Sequence, residues 1–580
     1  MKANFWLSGT SLALSACLGL AACSKPPTPA EENKAAPAVA TAEQAAAPAD
    51  SKAAAATTAL PDTLMNPKLG EYIKTLSSDE FQGRAPATKG EELTLAYISE
   101  HFKNIGLKPL VGDSFVQPVQ LVQIDPKEVS AMTFSGDKAP AAFKYRDQMF
   151  TWTTRVTELS EVKGSDMVFV GYGIVAPEYN WNDYEGLDVK GKTVVMFVND
   201  PGFATKDPAL FTGEAMTYYG RWTYKFEEAA RQGAAMALIV HETDAASYGW
   251  HVVAGGSATK FDLINPNKNA DRAAVEGWVT TESANTLFAT IGEDIESMRK
   301  KALSKDFAPI PLNIKASVSV KNNVRELTSG NVAGFIEGTE KPDEVVLYMA
   351  HWDHLGVDFS NPKNKVFNGA VDNASGTGGL MALAEYYASQ PKPKRSVAFV
   401  AVTAEERGLL GSAWYAKNPL FPLNKTIAGI NMDVMNVNGP MKDMVVVGHG
   451  NSELEVILEK YTKEQGRYIA PEPNPAAGSY YRSDHFNLAK AGVPMLYAKG
   501  GVDSVAHGKE WGLEQAKNFN TCCYHKVEDE YNDSWDLSGA QQDLFLYYRV
   551  GRELADSNAW PNWYEGKEFK AARDASLAGK

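Results

Sequence analysis

Cysteine is nearly absent: the 580 residues contain four, at positions 17, 23, 522 and 523. No Cys-x-x-Cys pair exists to build a structural zinc site. Apart from the adjacent pair Cys522 and Cys523, a metal in this chain must be held by histidine and carboxylate, a donor set that suits an open catalytic zinc site rather than a closed structural one. Basic residues are outnumbered, 57 Lys and Arg against 71 Asp and Glu, for a net charge of -14. That balance argues against nucleic acid as the main partner. After the first 23 residues no run is apolar enough to span a bilayer. No repeat of solenoid or propeller period is present. The glycines at Gly376, Gly378 and Gly379 lack the Lys-Ser/Thr of a phosphate loop and the full dinucleotide fingerprint. Ser483 is not enclosed in a Gly-x-Ser-x-Gly elbow, which removes the usual serine-hydrolase reading.

What is present is concentrated between His351 and Asp433. Val345–Ala350 reads as a buried strand running into His351-Trp-Asp353-His354. Asn368-Gly-Ala-Val-Asp372-Asn-Ala-Ser-Gly376 precedes a helix with Leu380, Leu383, Ala384 and Tyr387 on its core face. Ser396–Val402 ends at Glu405-Glu406, and Thr426-Ile-Ala-Gly-Ile-Asn-Met ends at Asp433. Short apolar runs alternating with helical periods indicate βα units around a mainly parallel sheet. Ligands of such sheets bind outside the carboxyl ends of the strands, so these polar clusters converge on one crevice. Tyr524-His525-Lys-Val-Glu528-Asp529 adds a distant imidazole.

At the other end of the chain, residues 1–22 combine Lys2, an apolar stretch and Leu20-Ala-Ala before Cys23. They resemble a bacterial lipoprotein signal peptide with its lipobox. The resemblance implies lipid on Cys23, a membrane anchor, and export; Ser24 permits outer-membrane sorting, facing the periplasm or the cell surface. Residues 23–59 are Ala/Pro-rich without large apolar side chains, the composition of a disordered tether. The folded part begins near Leu60, and residues 60–139 supply the first part of the main domain. A packing helix over Glu91–Ile105 has Leu95, Ile98, Phe102 and Ile105 on one face and Gly106 at its end. Ser78–Arg84 reads as a helix end and loop.

Residues 140–308 change character. Strands are expected at Asp166–Gly173, Lys192–Val198 and Ala235–Val240, with a helix at Tyr224–Gln232. Gly171-Tyr-Gly173, Val189-Lys-Gly-Lys-Thr193 and Ala229-Ala-Arg-Gln-Gly-Ala234 resemble the protease-associated domain inserted in several peptidases, which implies a β-rich insert, either a substrate lid or a structural module. His241 and His251 within it have no partner at metal spacing. The first architecture resumes over 309–580, with an exposed strand at Ile314–Val320 and a buried one at Asn331–Ile336.

The ordered set His351-x-Asp353, Asp372-Asn-Ala-Ser-Gly376, Glu405-Glu406, Asn431-Met-Asp433, Ser483-Asp484-His485 and Tyr524-His525 resembles the two-zinc aminopeptidase family, which includes bacterial leucyl aminopeptidase and relatives of glutamate carboxypeptidase. The resemblance covers the chain after residue 60, counting the insert. It implies a three-layer α/β/α domain with a mainly parallel sheet and a protease-associated insert. It also implies two Zn2+ per chain and peptide substrates cleaved from the N-terminus. His351 and Asp433 would bind one zinc, Glu406 and His525 the other, and Asp372 both. Glu405 would be the general base, and Asp353 would orient His351 through its other ring nitrogen. Lys526-Val527 replaces the small Thr-Pro often found after the last histidine.

The chemistry asks for the same set. Amide hydrolysis needs a strong nucleophile, a polarised carbonyl and a proton shuttle. A zinc pair about 3.5–4 Å apart supplies the first two, and a nearby carboxylate the third. His354 and His485 read as supports of the site, as does Asp484. His449 caps a turn, His507 lies on a loop beside the pocket, and Tyr480 or Tyr481 donates to the oxyanion. In an exported protein Cys522 and Cys523 form a disulfide or stay reduced, with no catalytic role. Two other readings stay open. One is a single-zinc glutaminyl cyclase, which shares the fold. The other is a metal-free peptidase-like binding protein. Nothing in the sequence sets the oligomeric state.

Overall fold

The computed structural model describes residues 63–64, 66–359 and 366–578. The segments assigned to signal, Cys23 and tether lie outside the described residues. Four apolar runs form the centre of the sheet: Met495–Gly500, Thr426–Asn431, Lys341–His351 and Arg395–Val402, side by side in that order and all parallel. Apart from residues 341–344 and 499–500, their residues are buried on both faces, as in parallel sheets covered by helices on each side. Val346, Tyr348 and Ala350 point to the layer holding the helices Ser375–Ser389 and Ser538–Asp556. Val345, Leu347 and Met349 point the other way, to Tyr415 of the helix Leu410–Lys417 and Leu488 of His485–Lys490. This is the three-layer arrangement that the resemblance implies.

The helix Ser375–Ser389 is buried all round over its first ten residues, rather than on one face. Gly378 allows this. A Cβ there would come within 3.1 Å of Ile73, on the neighbouring helix Leu69–Leu76. The expected packing helix is Lys89–Asn104, closed by Gly106 at a φ of 81° that a glycine tolerates.

One difference from the sequence reading is large. The strands expected at 314–320 and 331–336 are the two ends of one strand, Ile310–Ile336. Its last residues pair antiparallel with Arg395–Val402, and its first residues pair with Leu159–Phe169. The polar middle, Lys321-Asn-Asn-Val-Arg-Glu326, carries no apolar alternation that would reveal a strand. Its backbone groups are nonetheless satisfied by a third strand, Val116–Val129. The long strand thereby joins both parts of the chain in one sheet.

Beyond it lie parallel strands Leu159–Phe169, Thr193–Phe197, Met236–His241 and Val275–Thr280, with Met149–Trp152 antiparallel at the edge. The β-rich insert also carries helices at Trp222–Arg231, Thr281–Phe288 and Ile295–Ala302. His241 is buried with Nε2 on the Tyr248 carbonyl at 3.0 Å, and His251 is exposed.

Candidate metal centre

Each polar cluster sits where its strand runs out. His351 is the last residue of Lys341–His351, Glu405 and Glu406 follow Arg395–Val402, and Asp433 follows Thr426–Asn431. Asp372 occupies the turn before the helix Ser375–Ser389, and His525 follows the helix Lys509–Cys522. The carboxyl ends of three adjacent parallel strands thus meet two loops.

The side chains converge on Asp372. His351 Nε2 stands 3.3 Å from Asp372 Oδ1 and 3.4 Å from Asp433 Oδ1. His525 Nε2 stands 3.2 Å from Asp372 Oδ2 and 3.1 Å from Glu406 Oε2. A charged N–H···O hydrogen bond closes to about 2.7–2.9 Å. Two donors on one tetrahedral zinc, with bonds of about 2.0–2.1 Å, stand about 3.3 Å apart. The spacing therefore fits shared metal ions better than direct pairing, and the donor set of histidine and carboxylate fits zinc. Two groups of three donors can each close on a single ion: His351, Glu405 and Asp433, and His354, Asp372 and Glu406. His354 is thus more than a distant support: its Nδ1 donates to Glu406 Oε1 at 2.7 Å, and its buried Nε2 has no partner.

Burial would push the His351 imidazole down, but the carboxylates of Glu405, Asp372 and Asp433 outweigh it and raise it well above its ordinary value. Burial would raise Asp372, yet hydrogen bonds from His351 and His525 hold it well below the carboxylate range. Glu406 is likewise pushed up by burial and by Asp372, and brought down to about 2 by His354 and His525. Glu405 behaves oppositely. Burial and the neighbouring carboxylates of Glu406 and Asp433 raise it well above its usual range, against the pull of His351. The adjacent glutamates are therefore set apart: one is held ionised against two imidazoles, the other is proton-hungry.

Asp353 is fully buried. The contact nearest His351 Nδ1 is the backbone carbonyl of Asp353 at 3.2 Å, with Oδ1 at 3.8 Å. The carboxylate instead accepts the backbone N–H groups of Glu405 at 3.0 Å and Glu406 at 3.4 Å, fixing the turn that presents both. Asp529 does the same for the next loop, accepting from the backbones of Val371 and Asp372 at 2.9 and 3.0 Å. Asp484 accepts from Ser412 at 2.6 Å, and Ser483 accepts from Asn431 at 2.7 Å. His485 is buried between the rings of Tyr480 and Tyr497, and burial drives its imidazole down to about 3.

Arg84 carries no functional signal in the sequence. It lies in the stretch that reads as a helix end and loop, yet it is 1% exposed. It donates to the carbonyls of Trp352, Leu76, Asn368 and Gly369 at 2.8, 2.6, 2.7 and 2.9 Å. One guanidinium thus holds the loops that carry His351 and Asp372. No local pattern marks it, because its partners are backbone atoms, most of them far away in sequence.

The tyrosines also sort differently. Tyr481 donates to Glu568 at 2.8 Å, and the buried Tyr480 hydroxyl has no protein partner. Tyr524 stacks on the His525 ring at 3.9 Å, and burial together with the carboxylates of Asp372 and Glu406 keeps its phenol protonated. Tyr497 donates to the Asp433 carbonyl at 3.4 Å. Adjacency to His525 is the available signal for Tyr524. Of the remaining candidates, His449 lies 3.5 Å from Glu455, and His507 packs on Trp511 at 4.5 Å. Cys522 and Cys523 are joined as a disulfide.

Comparison with known proteins bears on this centre. Peptidase family M28 matches residues 331–549, which contain every donor named above. Aminopeptidase NAALADL1 of Mus musculus is 31% identical over 160 residues, 27% of this chain and 20% of that protein. The chain thus spans about a fifth of the length of the mouse and rat aminopeptidases it matches. An aminopeptidase of Pseudomonas aeruginosa is 22% identical over 497 residues, 82% of this chain and 78% of that protein. Among solved structures, the aminopeptidase from Aneurinibacillus sp. strain AM-1 superposes over 85% of this chain and 94% of its own, with a TM-score of 0.48 and 20% identity. The donors at the strand ends form two groups that can each hold a metal ion. The match to peptidase family M28 spans residues 331–549 and so takes in the whole of this centre.

Proposed function

We propose that the protein is a zinc-dependent aminopeptidase that releases N-terminal residues from peptides with two metal ions. The observation that carries this reading is Asp372, whose two oxygens face two different histidines, His351 at 3.3 Å and His525 at 3.2 Å. His351 and Asp433 would hold one ion, Glu406 and His525 the other, with Asp372 between them and His354 holding Glu406 in place. Bound there, a zinc pair polarises the scissile carbonyl and lowers the pKa of the attacking water.

The chain's own residues do the rest. Glu405, beside His351 and Asp433, takes the proton of the attacking water and returns it to the leaving nitrogen. Asp353 fixes the Glu405-Glu406 turn, and Asp529 and Arg84 fix the Asp372 loop. Tyr524 offers a hydroxyl donor above His525. A free substrate amine sits at the closed end of the pocket, against the carboxylates.

The rest of the chain has a place in the same reading. Residues 140–308 act as a protease-associated module over the crevice that limits access to short or flexible peptides. Lipid on Cys23 tethers the enzyme at the outer membrane after export. Among the described residues no helix is long and apolar enough to cross a membrane.

The test is hydrolysis of matched peptides, free and N-acetylated, by the zinc-loaded protein. The free peptides are cleaved and the acetylated ones resist. Equal rates would remove the aminopeptidase assignment while leaving a metallohydrolase. Cyclisation of N-terminal Gln, with one metal per chain, would favour the glutaminyl cyclase alternative.

A further inference from the structure

The two histidines that face Asp372 are held in unlike ways. His351 ends a central strand and its side chain is 1% exposed, whereas the His525 side chain is 39% exposed. His525 also has a φ of 58°, in the left-handed region that a histidine occupies only when its surroundings impose it. The helix Lys509–Cys522 leads into this turn but anchors it poorly, because Gly512 is its one buried residue.

The turn closes on itself instead. Cys523 and Tyr524 donate their backbone N–H groups to the Phe519 carbonyl at 2.9 and 3.0 Å, and Lys526 donates its own to the Cys523 carbonyl at 2.9 Å. The Lys526 ammonium donates to the Thr521 carbonyl. The disulfide between Cys522 and Cys523 lies in the middle of these bonds. Neighbouring cysteines joined in this way form a small ring that includes the peptide bond between them. The ring fixes the backbone from which Tyr524 and His525 depart, and Tyr524 stacks on the His525 ring at 3.9 Å. At the other end of the turn Asp529 donates its N–H to the Lys526 carbonyl at 3.2 Å and accepts from Val371 and Asp372. The turn that presents His525 to Asp372 and Glu406 is thus bracketed by Asp529 on one side and by the disulfide on the other. Cys522 is exposed and Cys523 is half-buried, so a thiolate in solution can reach the bond. Exposed disulfides are the labile, regulatory class, unlike those sealed in a core.

We propose that the disulfide between Cys522 and Cys523 is a thiol–disulfide exchange site that takes a dithiol reductant and controls the positioning of His525. Opening it weakens the hold of the centre on the metal ion that His525 faces. This rests on the metal-centre reading. A thiolate of the reductant attacks Cys522 Sγ, the S–S bond breaks, and Cys523 leaves as a thiolate. The second thiol of the reductant then displaces Cys522 from the mixed disulfide. The protein gains two electrons and two protons as a pair of thiols, and the reductant becomes a cyclic disulfide. A disulfide oxidant reverses the exchange. The cysteines are positioning residues and take no part in the hydrolytic step.

The experiment measures zinc affinity by competition with a chelator on the full chain, before and after treatment with dithiothreitol that is removed under inert gas. Alkylation and mass spectrometry report the state of the pair. Wild type is closed as purified, opening weakens its zinc binding by about tenfold, and reoxidation with oxidised glutathione restores it. The double variant Cys522→Ser/Cys523→Ser shows the weakened binding from the outset and ignores both reagents. It keeps Cys17 and Cys23, which separates the effect of this pair from theirs and from chelation by the dithiol. If the double variant does not fold, the reversible response of wild type decides alone. Zinc affinity unchanged on opening, a folded double variant that binds like closed wild type, or a purified wild type with both cysteines free, each overturns the proposal. If the folded protein binds no zinc in either state, the metal-centre reading fails, and hydrogen exchange over residues 519–529 reads the device separately. Faster exchange on opening sustains it, and unchanged exchange overturns it.

Discussion

Two clusters of buried carboxylates, one in each half of the same sheet, are arranged in opposite ways. In the insert, Asp183 accepts the backbone N–H groups of Tyr172 and Ile174 and the indole N–H of Trp181. Asp200 accepts from Gly202, Phe203 and twice from Thr217. Between them the fully buried Lys225 donates to the Tyr172 carbonyl at 2.5 Å. Every oxygen has a donor within the protein. In the catalytic half His351 and His525 face the carboxylates of Asp372, Asp433 and Glu406 at 3.1–3.4 Å, and among the described residues His354 Nε2 has no hydrogen-bond partner. A satisfied network holds a fold together, whereas one that stays incomplete until something binds is built for a ligand. Buried charge alone therefore does not mark a site. What marks it is polar capacity that the chain leaves unanswered.

The sharpest way to break this contrast is to damage the satisfied cluster. Lys225→Met leaves the buried Tyr172 carbonyl without its charged donor and removes the cation nearest Asp183 and Asp200, which costs about 3 kcal/mol of stability, read from denaturant unfolding. Turnover per folded molecule stays at the wild-type value. A parallel fall in kcat would mean that the insert's network serves catalysis. Glu405→Gln does the reverse. It lowers kcat at least about a hundredfold, equivalent to about 2.7 kcal/mol of barrier, while metal content and unfolding are unchanged. Loss of a metal instead of a proton acceptor would move Glu405 into the ligand set. Asp529→Asn is the mildest change, because it removes one of two acceptors that hold the Asp372 loop. It weakens zinc binding by about 10–100-fold in competition with a chelator and leaves both clusters otherwise intact. Unchanged zinc affinity would reduce Asp529 to a fold residue.

Much of the catalytic half is legible in the amino-acid sequence. Three of its central strands carry apolar runs that lead straight to a histidine or carboxylate, so period and position together point to one crevice. The long strand Ile310–Ile336 is not legible as one element, because its polar middle is held by backbone pairing that side-chain pattern does not report. Arg84 and the true partners of Asp353 escape for a related reason. Those partners are main-chain groups, and these carry no residue identity. The role of His354 depends on which way one imidazole turns within a four-residue stretch.

The central claim is that the catalytic cluster is completed by two metal ions around Asp372. Zinc content per chain, measured on the purified, zinc-loaded protein for wild type and for Asp372→Ala, tests it most directly. The account predicts close to two zinc ions per wild-type chain and loss of both from the variant, since the removed carboxylate faces both histidines. One zinc per wild-type chain, or two retained without Asp372, would contradict it.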